Sequence, residues 1–507
     1  MNTLPLPPDA VPLPPPGARR QVLAAYDKIA GANRPELWTS LRSCEDVLVD
    51  AKAVDERVRA GERLPLAGLL VAVKDDVKVT GLPATDGPDG AGKPQPTAVA
   101  VQRLIQAGAV VLGKTGPEAG AAGRGKVAGW GSALAVALGL VDVALDKDPA
   151  GSGGAACHGI IGIRPTRGLV PTTGLSRARE GVTVFARTVA DGQRALCAMT
   201  GPDASDAGSR RWPAGVRLAA GERPRVAVAD QATLSLPSEE AGCAYQRRIE
   251  DLLAAGVVVE TIDIVPFVEA VSVARGRNPR SGEWRARVLE ALDGCLALVL
   301  PVLAHQPARA TRGADPRLAG LLDLAAVTVP AGQADGGPFG ISVLARSFDD
   351  QVALDLAALL TGEQVNEPYP GPGIDLVVFG AHLRGQPLNH QLAELGARFR
   401  GQVATAERYR MVALPTVPPT PGIVRACPGA ALAGERWTIS PAGLERFLAG
   451  LPEAMAPYEI ELEGGGTALG FQCDAGQAAG AKDITKFGDW RAYLRHLTAT
   501  RPMIPLR

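Results

Sequence analysis

Aromatic residues make up only 4% of this 507-residue chain, although 46% of it is hydrophobic. Its 60 glycines and its alanine-rich runs point to tightly packed helices and many turns. Excess charge is missing as well: 53 Lys and Arg balance 53 Asp and Glu, for a formal net charge of +0, and no long basic block occurs. That removes the electrostatic footprint of a nucleic-acid surface and leaves a concave pocket for a small molecule as the natural form of a site. Histidine is scarce, with five in all and no HExxH. Seven cysteines (Cys44, Cys157, Cys197, Cys243, Cys295, Cys427 and Cys473) are scattered, odd in number and without a CxxC pair. This argues against a disulfide scaffold and a structural zinc site and reads as buried apolar thiols in a reducing compartment. No motif suggests a metal, nucleotide or flavin cofactor. The opening MNTLPLPPDAVPLPPPG lacks a basic region followed by an apolar run, so it is not read as a signal peptide. The run Ala133–Leu145 contains Asp142 and is too short for a bilayer. A cytoplasmic protein with no membrane contact is expected.

The length, at about 100–200 residues per domain, predicts two or more domains. Helices are expected over 18–31, 43–60, 97–108, from Ala133 onward, 187–196, 238–255, 283–295, 318–325 and 349–360. Short apolar strands are expected over 69–73, 109–114, 225–229, 257–261, 296–300 ending at Pro301, 327–330 and 340–344. The alternation gives a large single-sheet α/β domain over residues 1–360. The Pro- and Gly-rich stretch 361–373 reads as a linker. Residues 374–507 then form a smaller α+β domain, with strands at 374–383, 410–414, 435–439, 458–463 and 467–472, a helix at 443–451, and a hairpin turn at Gly464-Gly465-Gly466.

The stretch richest in chemistry is Gly129–Leu169. Ser152 lies in Ala150-Gly151-Ser152-Gly153-Gly154. Glycines around a serine let the backbone approach whatever the hydroxyl touches, and the N–H groups of Ala150, Gly151 and Ser152 are placed to hold an oxyanion. Such residues also make ordinary turns. Lys74 ends the apolar run Leu69–Val73 and is followed by Asp75-Asp76; its stem can lie along a core while the ammonium reaches a cleft or solvent.

Three segments together resemble the amidase signature family: Pro65–Asp75, Gly108–Thr115, and Ser132-Ala133 through Ala150-Gly151-Ser152-Gly153 to Gly159–Gly168. Val378–Gln391 and Gly470–Tyr493 resemble the C-terminal domain of allophanate hydrolases, so the likeness runs from about residue 20 to 495. The resemblance implies a large mixed-sheet amidase-signature domain covered by helices, plus the smaller C-terminal α+β domain. It implies a serine–serine–lysine triad in which Lys74 is the base and Ser152 attacks the amide carbon. It also implies a homodimer acting on a small amide or urea-derived substrate, with allophanate hydrolysed to ammonia and carbon dioxide. In the C-terminal domain His382, His390 and Glu435 are the polar candidates.

The departures cluster at the chemistry. Ala128 falls where the family has its relay serine, and alanine has no proton to pass. Ser132 is the hydroxyl left in that loop, aligned with the start of a helix, where it would cap or serve as a surrogate relay. Pro149 stands in place of a threonine and supplies no N–H; losing an oxyanion donor can cost about 3 kcal/mol. Gly154 stands where arginine is common, and the segment between Lys114 and Ala128 is short. Around 311–326 the tyrosine expected to contact an acidic substrate is missing, with Arg317 a substitute. The competing expectation is therefore a catalytically impaired homologue acting as a binding or assembly protein.

Overall fold

The apolar run before Lys74 becomes a strand over Leu70–Lys74, and its neighbours Val110–Thr115 and Val143–Asp146 are likewise buried along their whole length. The structure, a computed structural model, describes residues 17–83, 96–116, 130–146, 152–175, 181–230, 234, 236, 238–275, 281–303, 318–365, 367–369, 371, 373–416, 420–452 and 455–500. The proline-rich start, residues 1–16, lies outside them.

In chain order the first elements are α1 (Ala18–Ala32), β1 (Trp38–Leu41), α2 (Cys44–Arg59), β2 (Leu70–Lys74), α3 (Val99–Gln106) and β3 (Val110–Thr115). Then come α4 (Trp130–Ala137), β4 (Val143–Asp146), α5 (Ser152–His158), β5 (Ile161–Arg164), β6 (Thr183–Ala186) and α6 (Val189–Met199). They are followed by β7 (Arg225–Ala229), α7 (Glu239–Ala254), β8 (Val258–Ile262), α8 (Val265–Arg275), α9 (Ser281–Ala291) and β9 (Ala297–Leu303). α10 (Leu318–Leu322), β10 (Ala325–Ala334), β11 (Gly337–Ala345) and α11 (Asp350–Thr361) complete this part.

Among the described residues these eleven strands make one mixed sheet, ordered β1-β3-β2-β4-β6-β5-β10-β11-β9-β7-β8. β2 is parallel to β3 and β4, and β7 is parallel to β8 and β9. Strand parity divides the core between two faces. Val71, Val73, Val143 and Leu145 pack with α3 and α6, whereas Leu70, Ala72 and Ala144 pack with α1, α2 and α4. Burial on both faces is why these strands read as unbroken apolar runs. Helix starts follow the sequence: the hydroxyls of Ser43, Thr188 and Ser238 accept the N–H of Asp46, Asp191 and Ala241 at 3.1, 3.0 and 3.1 Å.

Several expectations need correction. The small-residue run after Ala133 is not all helix: α4 ends at Ala137, Gly139 turns the chain at φ +66°, and Val143 begins β4. Strand β9 does not stop at Pro301 but reaches Leu303, with Pro301 opposite Ile341 of β11. On its other side the pairing with β7 ends at Val299, so the missing proline N–H falls where the strand has one neighbour. The strands near 327–330 and 340–344 are the inner parts of a longer β10–β11 hairpin, turned by Asp335 and Gly336 at φ +55° and +71°. No disulfide joins the seven cysteines, and Cys243 and Cys427 are exposed, so the thiols are not uniformly buried.

One buried acid ties the sheet to α11. Asp350 accepts the Thr166 N–H at 2.7 Å and the Thr166 hydroxyl at 2.6 Å. Burial pushes its carboxyl up to about 6, against the two Thr166 hydrogen bonds, which favour the charged form. The folded chain thus holds this proton more tightly than the unfolded chain, where aspartate titrates near about 3.9. The group's contribution to stability is lost as pH rises through about 6 and regained as pH falls toward about 4. Asp350→Asn is expected to gain on the wild type between about pH 4 and 6, by up to about 1.4 kcal/mol per pH unit, and to keep a constant advantage above that range. Urea midpoints across that range check this, and parallel pH dependences for the two proteins would contradict it.

The remaining elements are β12 (Ile374–Val378), α12 (Asn389–Glu394), β13 (Arg398–Ala404), β14 (Tyr409–Leu414), β15 (Thr420–Arg425) and β16 (Ala433–Ile439). After them come α13 (Pro441–Ala449), β17 (Met455–Leu462), β18 (Gly466–Cys473), α14 (Ala475–Ala479), β19 (Lys482–Asp483) and α15 (Trp490–Thr500). They form a smaller α+β unit with a five-stranded sheet, β13-β16-β12-β18-β17, and a three-stranded sheet, β15-β14-β19. Its separate core includes Trp437, Phe447, Phe471 and Trp490. The strand expected over 374–383 stops at Val378, because Gly380 takes φ +82° and the chain turns into a short 3-10 helix through His382. Gly464 and Gly465, both at positive φ, turn the β17–β18 hairpin as expected.

Arginines fasten this unit to the larger one. Arg217 donates to the carbonyls of Glu394 (2.8 Å) and Ala393 (3.0 Å) at the end of α12. Arg398 pairs with Asp355 at 3.0 Å and donates to the Leu218 and Val365 carbonyls. Arg384 pairs with Glu222.

Candidate functional site

Lys74 sits at the carboxyl end of β2, in the central, parallel part of the sheet. Its parity is that of Leu70 and Ala72, so it faces the layer that contains α4. The register places Thr115 of β3 beside it. On the other side Val73 pairs with Leu145, so the next rung of β4 is Asp146, and Asp146 in turn faces Thr183 of β6. Thr115, Lys74, Asp146 and Thr183 therefore form one polar row across four strands. Lys74 Nζ lies 3.1 Å from Asp146 Oδ1, with the lysine 15% and the aspartate 0% exposed.

Ser132 reaches the same row from α4. Its Oγ is 2.7 Å from Thr115 Oγ1, both side chains are buried, and it makes no hydrogen bond to Lys74. It is the third residue of α4, not its cap as the sequence implied. What holds it there is a close backbone contact: a Cβ on Gly131 would stand 2.1 Å from the Gly116 carbonyl oxygen.

Ser152 opens α5, six positions beyond Asp146. Gly154 faces inward in this helix, where a Cβ would meet Phe185 Cζ at 3.2 Å and Ala133 Cβ at 3.5 Å, so α5 closes onto α4 and β6. Ala128, Pro149, Ala150, Gly151 and Arg317, and most of the segment between Lys114 and Ala128, lie outside the described residues.

Lys114, next to Thr115, is wholly buried and donates to the carbonyls of Asp75 and Pro83, both at 2.8 Å. Burial lowers its pKa, while Asp75 and Asp76 act in the opposite direction.

The three candidates of the smaller unit are not joined to one another by hydrogen bonds. His382 is buried edge-on to Phe447 and Phe471, with ring centroids 5.0 and 5.8 Å away, and its Nε2 is 3.1 Å from Gln391 Oε1. Burial lowers its pKa, which keeps the ring neutral. His390 is exposed, with Nδ1 2.8 Å from the Pro387 carbonyl. Glu435 is buried and accepts from Arg491 Nη2 (2.6 Å) and the Arg384 N–H (2.8 Å). A cavity of about 1200 Å³ opens along the seam between the two units, lined in part by Arg217, Arg398, Glu367 and His390. None of its lining residues belongs to the Lys74 row. Among the described residues no cluster of three His, Cys, Asp or Glu side chains is arranged for a metal, and no helix is long and apolar enough to cross a membrane.

Sequence reasoning missed Thr115, Asp146 and Thr183. A signal for Asp146 existed: Val143-Ala144-Leu145-Asp146, like Leu70–Lys74, is an apolar strand that ends in a charge.

A helix-covered mixed sheet, with a lysine ending one central strand and a serine opening the helix after the next, is the arrangement expected of an amidase-type hydrolase. Residues 20–125 and 129–296 match the amidase family model, and 374–495 match the allophanate hydrolase C-terminal domain. The chain belongs to the amidase family and carries an allophanate hydrolase C-terminal domain behind its amidase part. That membership supports amidohydrolase chemistry in general. The chain is 28% identical to urea amidolyase of Saccharomyces cerevisiae over 91% of its own length, and spans 31% of that relative. It is 41% identical to a putative amidase, AmiA2, of Mycobacterium bovis, over 31% of this chain and 38% of that one. Among solved structures, allophanate hydrolase of Kluyveromyces lactis shares the fold with a TM-score of 0.78 at 24% identity, covering 95% of this chain and 97% of that one.

Proposed function

We propose that the chain hydrolyses allophanate (urea-1-carboxylate) to ammonia and carbon dioxide. In this reading Ser152 Oγ attacks the amide carbon with Lys74 as base, ammonia leaves, and water releases a dicarboxylate-type acid from the acyl-enzyme. The observation that carries it is the pairing of the two units in one chain: an amidase part followed by the allophanate hydrolase C-terminal domain. The reading takes residues 1–360 as the amidase domain, 361–373 as linker and 374–507 as the C-terminal domain, in a homodimer. Ala150, Gly151 and Ser152 frame the oxyanion, and Arg317 contacts the substrate. His382 and Glu435 are assigned to the framework of the C-terminal domain on the strength of their burial and partners.

A second reading, an impaired homologue that binds or assembles, is favoured by one contact. Ser132 spends its hydroxyl on Thr115, and Ala128 offers none in its place.

Ammonia release from fresh allophanate, malonamate, biuret and simple amides separates the two. Hydrolysis of allophanate at least about tenfold faster than of the simple amides is expected. A silent wild type with an active Ala128→Ser would give the second reading, and silence in both would remove the hydrolase reading.

A further inference from the structure

A lysine that takes a proton from a nucleophile must first have a place for its own. The structure supplies one that the family resemblance does not include. Asp146 is wholly buried, yet ends an apolar strand. A carboxylate in that position is costly unless a cation faces it, and Lys74 is the cation on the neighbouring parallel strand, 3.1 Å away. Thr115 and Thr183 flank the pair on the same row. Asp146 thus lies within hydrogen-bond reach of Lys74 Nζ, on the same edge of the sheet as the start of α5.

We propose that Asp146 is a positioning residue that holds Lys74 as an ammonium and stores its proton during the reaction, so that lysine and aspartate work as one unit. This rests on the reading of Lys74 and Ser152 as the reacting groups. As Ser152 Oγ–H gives its proton to Lys74, the Lys74 N–H facing Asp146 gives its own to Oδ1. The O–H of Ser152 breaks, an O–H on Asp146 forms, and Lys74, having passed on one proton and taken up another, ends as the ammonium it began as. When ammonia is expelled the proton returns from Asp146 through Lys74 to the leaving nitrogen. Lysine thereby takes the relay's place and aspartate the place of the final base, in a chain with alanine at position 128.

The test combines turnover with a readout that needs none. Lys74 is labelled competitively with acetic anhydride at about pH 8, where only the neutral amine reacts, and the modified peptide is quantified in wild type and in Asp146→Asn. The other charged groups at this end of β2 stay unchanged in the comparison: Asp75, whose Oδ1 accepts from Thr39, Asp76, and Lys114 on β3. Labelling is expected to rise at least about tenfold in Asp146→Asn, with kcat lowered at least about 100-fold and KM nearly constant. Asp146→Ser is the second variant if the first loses its melting transition. Labelling equal within about twofold in wild type and variant, or kcat unchanged, would overturn the proposal. Labelling that responds as expected in a wild type that hydrolyses no amide would leave the resting ion pair in place and remove both the proton transfer and the hydrolase reading. A competent wild type with unresponsive labelling would do the opposite.

Discussion

Replacing Ser152 with alanine is expected to lower ammonia release from allophanate by at least about 1,000-fold while leaving the melting temperature within about 2 °C. The size follows from what is removed. Without Oγ no acyl-enzyme forms, and what survives is the contribution of bound substrate and oxyanion donors to direct attack by water. The stability side follows from position: Ser152 is the first residue of the seven-residue α5, and the close approach of that helix to Phe185 and Ala133 falls at Gly154. Ammonia assays under single-turnover conditions, beside thermal melts, check both parts. A variant that keeps more than about a tenth of the wild-type rate would rule out Ser152 as the nucleophile.

The second large effect is on stability. Gly380 has φ +82°, and a Cβ there would stand 1.8 Å from Pro421 Cγ and 2.7 Å from its Cδ. Alanine would meet both a backbone region that L-residues avoid and a ring locked within β15. Gly385 has nearly the same backbone, at φ +76°, with nothing within 4 Å of its Cβ position. The pair separates strain from collision. Gly385→Ala is expected to cost about 1 kcal/mol, and Gly380→Ala at least about 3 kcal/mol, read as the urea midpoint of the unit that contains Trp437 and Trp490. Equal losses in the two variants would show that Pro421 yields and that the steric argument fails.

What was readable depended on whether the signal was local. Leu69–Val73 and Val110–Leu112 were legible because strands covered on both faces leave unbroken apolar runs. Helix starts at Ser43 and Ser238 were legible because the capping hydroxyl lies three residues from its partner. Strand β15 was not, since it carries Pro421 and Gly422, both marks of a turn, and owes its extended form to β14 beside it. Arg398–Ala404 hid for the same reason, being polar at an edge and paired only with β16. In the candidate site Lys74 and Ser152 were singled out by the family resemblance, since local pattern alone reads them first as a solvent-reaching lysine and an ordinary turn. The engagement of Ser132 with Thr115 could not be read, because it depends on how closely Gly131 approaches Gly116. Nor could the Lys74–Asp146 contact, which spans 72 positions and requires that β2 pair with β4.

The joint between the two units has a chemical character of its own. Arg217 binds it through the main-chain oxygens of Ala393 and Glu394, and Arg398 adds those of Leu218 and Val365. Peptide oxygens do not titrate in the physiological range and are present whatever side chain a residue bears. Loss of the Asp355 or Glu222 carboxylate removes part of the attachment and leaves the rest. Substitution at 393 or 394 leaves the acceptors where they were. The side chains of the residues that lend their carbonyls are therefore free to drift without separating the two units, so long as Arg217 on one half and Arg398 on the other are kept.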